Sequence, residues 1–218
     1  MSIPLQREIE YPESDGRPLG ETDIHIEVAS MTAYVLRQRF RDVPDVYTWQ
    51  NLIFYYVEGD PRAQFCPDVF LVRGVPNHQR RIYKLWEEGK APSLILEVTS
   101  RSTRREDLRS KKELYERLGV EEYFLFDPLG EYLKPRLQGH RLASGRYHDL
   151  APASDGSLLS RVAGLELVPE GYRLRLRDAE THEPVLWPWE EAEALRAAEE
   201  RIRALEEEIA RLRDQGTK

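Results

Sequence analysis

Residues 92–128 read PSLILEVTSRSTRREDLRSKKELYERLGVEEYFLFDP, and this stretch decides the fold. Pro92 interrupts the chain before a continuous apolar run, Ser93 to Thr99, of the kind buried on both faces of a sheet. Ser102 or Thr103 then opens a helix with apolar positions at Leu108, Leu114, Tyr115 and Leu118. Gly119 stands at the position past the helix end where a left-handed residue is needed. A second apolar run, Glu121 to Phe126, closes with Asp127-Pro128. Strand, helix and strand in that order predict a parallel βαβ unit with a right-handed crossover.

Upstream, Ile24, Val28, Met31, Val35 and Leu36 are spaced as one helical face, after a candidate N-cap at Thr22 or Asp23. Val46 to Val57 is dense in aromatic and β-branched residues and ends in the turn Glu58-Gly-Asp-Pro61. Phe65 to Val72 predicts a short strand containing Asp68, and Arg80 to Gly89 a helical turn. Downstream, turn signals at Leu129-Gly130, Gly139 and Gly145 separate shorter runs. Tyr172-Arg-Leu-Arg-Leu alternates with period two, as a half-solvated strand does. Residues 1–22, rich in Pro, Gly and charge, read as a lead-in. The fold class is therefore α/β of mixed α+β type over residues 1–189, with a separate helix over residues 190–218.

That helix has its own logic. Leu195, Ile202 and Ile209 recur every seven residues, as do Ala198, Leu205 and Leu212. Ile at a and Leu at d favour a parallel two-stranded coiled coil, with Arg201 facing a partner's Glu206 and Glu208 facing a partner's Arg213. The expectation is a homodimer through residues 190–213.

Composition narrows the function classes. With 218 residues, 40% of them hydrophobic, the chain can bury a real core. Its net charge of −7 leaves no global basic field for nucleic acid, so any such contact needs a local patch. Cys66 is the only cysteine, which excludes an intrachain disulfide and a thiolate metal cluster; flanked by Phe65 and Pro67, it reads as a small buried hydrophobe. No signal pattern opens the chain and no apolar run approaches ~18 residues, so a soluble cytoplasmic protein with no membrane contact is expected.

The chemistry concentrates in a few side chains. Glu97 interrupts an otherwise apolar strand, where Glu is depleted, and Asp68 lies in another apolar run. Buried carboxylates need a cation, donors or solvent. Two of them suit Mg²⁺ or Mn²⁺, which takes one or two carboxylates and leaves room for water and phosphate. An ion so held would polarise a phosphodiester. Four residues separate Asp107 from Lys111, and four more separate Lys111 from Tyr115, so helical geometry sets all three on one face. Lys111 there can offset negative charge developing on a phosphate.

Pro67-Asp68, Leu94-Ile-Leu-Glu97-Val-Thr-Ser100, Asp107, Lys111, Tyr115 and Gly119-Val-Glu-Glu-Tyr-Phe-Leu-Phe-Asp-Pro128 together resemble the Uma-two family of restriction endonucleases, within the PD-(D/E)XK nuclease superfamily. The resemblance covers roughly residues 20–175. It implies a restriction-endonuclease-like central mixed sheet flanked by helices, with Asp68 and Glu97 as metal ligands and Lys111 as a lysine displaced onto the following helix. Thr99 occupies the place of the superfamily lysine, and Glu27 fits the position of an accessory acidic ligand.

Around this set Arg101, Arg104, Arg105, Arg109 and Lys112 form a basic run suited to phosphate contacts, and Arg80, Arg81 and Lys84 offer a second patch. The five histidines show no metal-ligand spacing and read as surface or turn residues. Asp127-Pro128 reads as turn chemistry, and Trp187-Pro-Trp189 as an anchor leading into the last helix. Two readings follow: a Mg²⁺- or Mn²⁺-dependent endonuclease acting on DNA, or a catalytically inactive nuclease-like scaffold dimerised by its coiled coil.

Overall fold

The computed structural model describes residues 9–14 and 22–216, so most of the lead-in over residues 1–22 lies outside the described residues. The chain falls into two compact units, Met1–Pro184 and Val185–Lys218. The first opens with α1 (Asp23–Arg39), β1 (Val46–Gln50), β2 (Phe54–Tyr55), β3 (Gln64–Phe65) and β4 (Val69–Arg73). Next come β5 (Tyr83–Lys84), α2 (Leu85–Glu88), β6 (Leu94–Val98), a π-helical turn (Glu106–Lys111) and α3 (Lys112–Leu118). It continues with β7 (Glu122–Phe126), β8 (Leu137–Ala143), β9 (Arg146–Asp149), β10 (Leu158–Ser160), β11 (Leu165–Glu170) and β12 (Arg173–Asp178).

The central sheet is mixed, in the order β1-β4-β6-β7-β8-β9. Only β6 and β7 run parallel, joined through α3 as the βαβ reading requires; every other pair is antiparallel. Both parallel strands are buried along their whole length. That burial explains the continuous apolar runs in place of an alternating pattern. Two three-stranded sheets, β3-β2-β5 and β10-β11-β12, complete the unit.

Alternation divides the sheet into two faces. Tyr47, Phe70, Val72, Ile95, Tyr123 and Leu125 share one core cluster with Tyr115 of α3 and with Phe54, Phe65 and Tyr83 of the small sheet. The other face meets α1, whose Ser30 hydroxyl accepts from the Gln50 amide at 3.4 Å. Thr22 caps α1, its hydroxyl accepting from the His25 N–H at 3.3 Å, so the helix begins with His25 held in its first turn. Gly119 ends α3 at φ 81°, left-handed as expected.

Glu122 on β7 is 1% exposed and had no signal in the sequence. Its carboxylate pairs with Arg141 at 2.8 Å and accepts from the Ser160 hydroxyl at 2.5 Å and the Arg161 N–H at 2.9 Å, tying the β10 sheet to the central one.

Some expectations are corrected. Asp68 precedes β4 instead of lying within a strand, because Cys66 and Pro67 break the run after Phe65. The Arg80–Gly89 stretch is strand β5 followed by one helical turn, since Tyr83 pairs with Phe54. Cys66 is exposed, because it sits in the coil between β3 and β4. His25 and His140 are buried, the latter with Nδ1 2.7 Å from Asp149.

The second unit is dominated by α4 (Pro188–Gly216), entered at Trp187 and Trp189, whose rings lie 5.0 Å apart. Leu195, Ile202, Leu205, Ile209 and Leu212 are all exposed along it, at 41–61%.

A Cβ at Gly139 of β8 would meet the Phe124 ring and a Leu158 methyl at 2.9 Å. Gly139→Ala is therefore expected to lower stability by ~1–3 kcal/mol through overpacking. Thermal unfolding of the two proteins measures it, and an unchanged midpoint would refute the packing argument.

Candidate active site

The β4–β6 register pairs Val69 with Leu96 and Phe70 with Ile95. One step further sets Asp68 across from Glu97 on the α3 face, where facing side chains have Cβ atoms ~4.5–5.5 Å apart. Two carboxylates facing each other repel unless something positive joins them. The Asp68 Oδ2 accepts from the Val98 N–H at 2.7 Å, which fixes its carboxylate against the end of β6.

Glu97 is 1% exposed, and each oxygen has one partner. Oε1 accepts from the Tyr115 hydroxyl at 2.7 Å, and Oε2 stands 2.9 Å from the Lys111 Nζ. Lys111 also lies 3.0 Å from Asp107 Oδ1. Lys111 and Tyr115 thus converge on Glu97 with Asp107 holding Lys111, although by another turn than expected. Glu106–Lys111 is a π-helix, a wider turn often found at functional sites, and the Tyr123 hydroxyl donates to its Asp107 carbonyl at 3.0 Å.

Burial pushes the Glu97 carboxyl well above the ordinary carboxylate range; the Lys111 ammonium opposes this, while Asp68 and Asp107 reinforce it. Burial also disfavours the charge on Lys111, but Glu97, Asp107 and Asp68 outweigh it and hold that ammonium protonated more firmly than usual. Glu97 and Asp107 share the one ammonium of Lys111, while Asp68 has His25 beside it, so carboxylate oxygens crowd this part of the sheet.

Of these side chains, Asp68 and Lys111 line a cleft of about 1340 Å³, together with Thr99, Arg101, Tyr132 and His25, among others. Thr99 follows Glu97 by two residues, and its buried hydroxyl oxygen has no hydrogen-bond partner among the described residues. The buried Asp107 Oδ2 is in the same condition. Among the described residues no three His, Cys, Asp or Glu side chains already form a finished cage. Mg²⁺ needs none, since one or two carboxylates with water and phosphate satisfy it. Hard oxygen donors, a carboxyl whose proton a cation would displace, and unsatisfied buried oxygens fit a divalent cation, and Asp68 and Glu97 are the residues that would hold it.

Other candidates fall elsewhere. Glu27 is not at the cluster: its carboxylate pairs with Arg173 at 2.6 Å and accepts from Tyr172, because it points to β12. His25, two residues earlier, is the α1 residue that arrives, with Nε2 3.2 Å from Asp68 Oδ1. Helix geometry turns successive residues by ~100°, so these two face nearly opposite ways. The basic run also divides. Arg101 borders the cleft, whereas Arg104, Arg105 and Arg109 are exposed beyond it and Lys112 turns to Asp149 at 3.6 Å. The second patch is consumed by ion pairs, Arg80 with Glu88, Arg81 with Glu13 and Lys84 with Glu87. Asp127 is a loop organiser, its carboxylate accepting from the Leu129, Gly130, Tyr132 and Leu133 N–H groups.

The Uma-two family, described as "Putative restriction endonuclease", matches residues 3–175. The chain belongs to this family. No curated protein matches it. Among solved structures, "a putative nuclease" from Anabaena variabilis is similar, with a TM-score of 0.52 and 14% identity over 70% of this chain and 81% of that one. At that identity the likeness speaks to the fold, a restriction-endonuclease-like mixed sheet with helices.

Lys111→Met would leave Glu97 and Asp107 buried without the cation that both of them face. A loss of ~3–5 kcal/mol is expected in urea unfolding without added metal. A loss under ~1 kcal/mol would mean that the ammonium does not hold the cluster.

Proposed function

We propose that this member of the family is a divalent-metal-dependent endonuclease that hydrolyses phosphodiester bonds of DNA, with Asp68 and Glu97 holding Mg²⁺ or Mn²⁺. The observation that carries the reading is Glu97: a buried strand carboxylate with Asp68 across from it and Lys111 at 2.9 Å, directly behind two residues, Asp68 and Lys111, that line a large cleft. A divalent ion bound there supplies Lewis-acid polarisation of the phosphodiester and a more acidic bound water.

The chain's own residues do the rest. Lys111, its side chain 19% exposed, keeps its proton and can present positive charge to a phosphate in the cleft. Asp107 holds the ammonium from the other side, and the Tyr115 hydroxyl fixes the Glu97 rotamer. Arg101 at the rim is suited to a neighbouring backbone phosphate, a contact that positions without reading sequence. Because Lys111 reaches Glu97 from the helix, Thr99 in the usual lysine position does not argue for an inactive scaffold.

We further infer that α4 pairs with a second copy in a parallel coiled coil through residues 190–213. Its exposed seam, Ile202 at 55% and Leu205 at 41% among others, supports this, since a solitary helix with such a stripe is marginal in water. Two copies supply two sites, one for each strand of a duplex.

Plasmid DNA incubated with the protein and Mg²⁺ or Mn²⁺ is expected to be nicked or linearised. Glu97→Gln should lower that rate at least ~10²-fold, on the scale of losing one preorganised electrostatic group. Equal inertness of wild type and variant would leave the scaffold reading instead. The dimer is checked by light scattering: an Ile202→Asp, Leu205→Asp double variant should halve the mass, and an unchanged mass would remove the coiled coil.

A further inference from the structure

We propose that His25 is a direct ligand of the cation, adding a nitrogen to the oxygen donors and making the site selective for Mn²⁺ over Mg²⁺. This rests on the metal-dependent reading above and extends it to the identity of the ion.

The argument begins with what Asp68 has left to offer. Its Oδ2 is taken by the Val98 N–H, so the carboxylate is oriented by the end of β6 without help from α1. Oδ1 is then the oxygen available to a cation. His25 Nε2 lies 3.2 Å from that same oxygen. Two donors that share one octahedral ion at ~2.1 Å sit about 3 Å apart, so this spacing already matches one edge of a coordination shell.

The placement of His25 is built, not incidental. It lies in the first turn of α1, where the Thr22 hydroxyl accepts its backbone N–H, and it is 8% exposed at the cleft wall beside Asp68. Helix position therefore commits the imidazole to the Asp68 side, while Glu27 is committed to Arg173.

Ligand chemistry then selects the ion. Mg²⁺ prefers oxygen throughout, whereas imidazole suits transition metals, so an ion held on the Asp68–His25 edge is favoured when it is one of the latter. Mn²⁺ keeps the open, oxygen-rich octahedral shell that a phosphodiester and a water require.

The test uses the full chain, with Mn²⁺ and Mg²⁺ alone as probes. Pulsed electron paramagnetic resonance of the Mn²⁺-loaded wild type should show a directly bound nitrogen whose coupling changes on ¹⁵N-histidine labelling. That coupling should vanish in His25→Gln. Calorimetry should give wild type a Mn²⁺ preference of about tenfold or more, falling to within about threefold in the variant, on the scale typical of losing one contributor to a metal site. Should His25→Gln fail to fold, replacing His78, His140, His148 and His182 in turn must leave the coupling intact.

Mn²⁺ bound without histidine coupling, or coupling that survives His25→Gln, overturns the ligand role alone. Equal weakening of both ions in His25→Gln, with no nitrogen coupling, would make His25 a positioning residue for Asp68. If neither ion binds the wild type, the metal reading of the site fails along with the proposal.

Discussion

The buried pair between Glu97 and Lys111 is the constraint on which the rest of the site depends. A carboxylate 1% exposed in the middle of a sheet is costly unless compensated, and its compensation arrives from one direction only. Lys111 reaches it because the chain returns over β6 through the π-helical turn and α3 on the way to β7. The parallel β6–β7 pair therefore does more than form a core. It obliges a helix to cross the very face that carries Glu97, and with it Asp107, Lys111 and Tyr115. Asp68 completes the set from the antiparallel neighbour, held by the Val98 N–H.

How far this was legible depends on whether a residue's partner is near in sequence. Glu97 could be read because a carboxylate inside Leu-Ile-Leu and Val is anomalous on its own terms. Lys111 and Tyr115 followed from helical spacing, which survives even though the turn before them is π and not α. His25 was set aside because its partner, Asp68, lies 43 residues later by numbering, and no local pattern links them. Glu27 came from the family resemblance, yet residue 25 is the one that the helix turns toward Asp68, while Glu27 turns to Arg173. The same blindness hid Glu122, whose partners Arg141, Ser160 and Arg161 come from distant elements.

The basic run is the opposite case, in which residues near in sequence are spread in space. Arg101, Arg104, Arg105, Arg109 and Lys112 span a turn, a π-helix and the start of an α-helix, so their side chains radiate. Only Arg101 is left at the cleft, and Lys112 is drawn to Asp149. On the proposed reading, a chain of net charge −7 would draw its affinity for a polyanion from a bound cation, Lys111 and a thin rim of arginine, or from two copies acting together.

The central claim is that Asp68 and Glu97 share one divalent cation, and crystals soaked in Mn²⁺ test it most directly. The account predicts an anomalous-scattering peak ~2.0–2.3 Å from an oxygen of each carboxylate, with Lys111 displaced from Glu97 toward the cleft. A strong Mn²⁺ peak elsewhere, or a Glu97–Lys111 pair left intact under saturating metal, would contradict it.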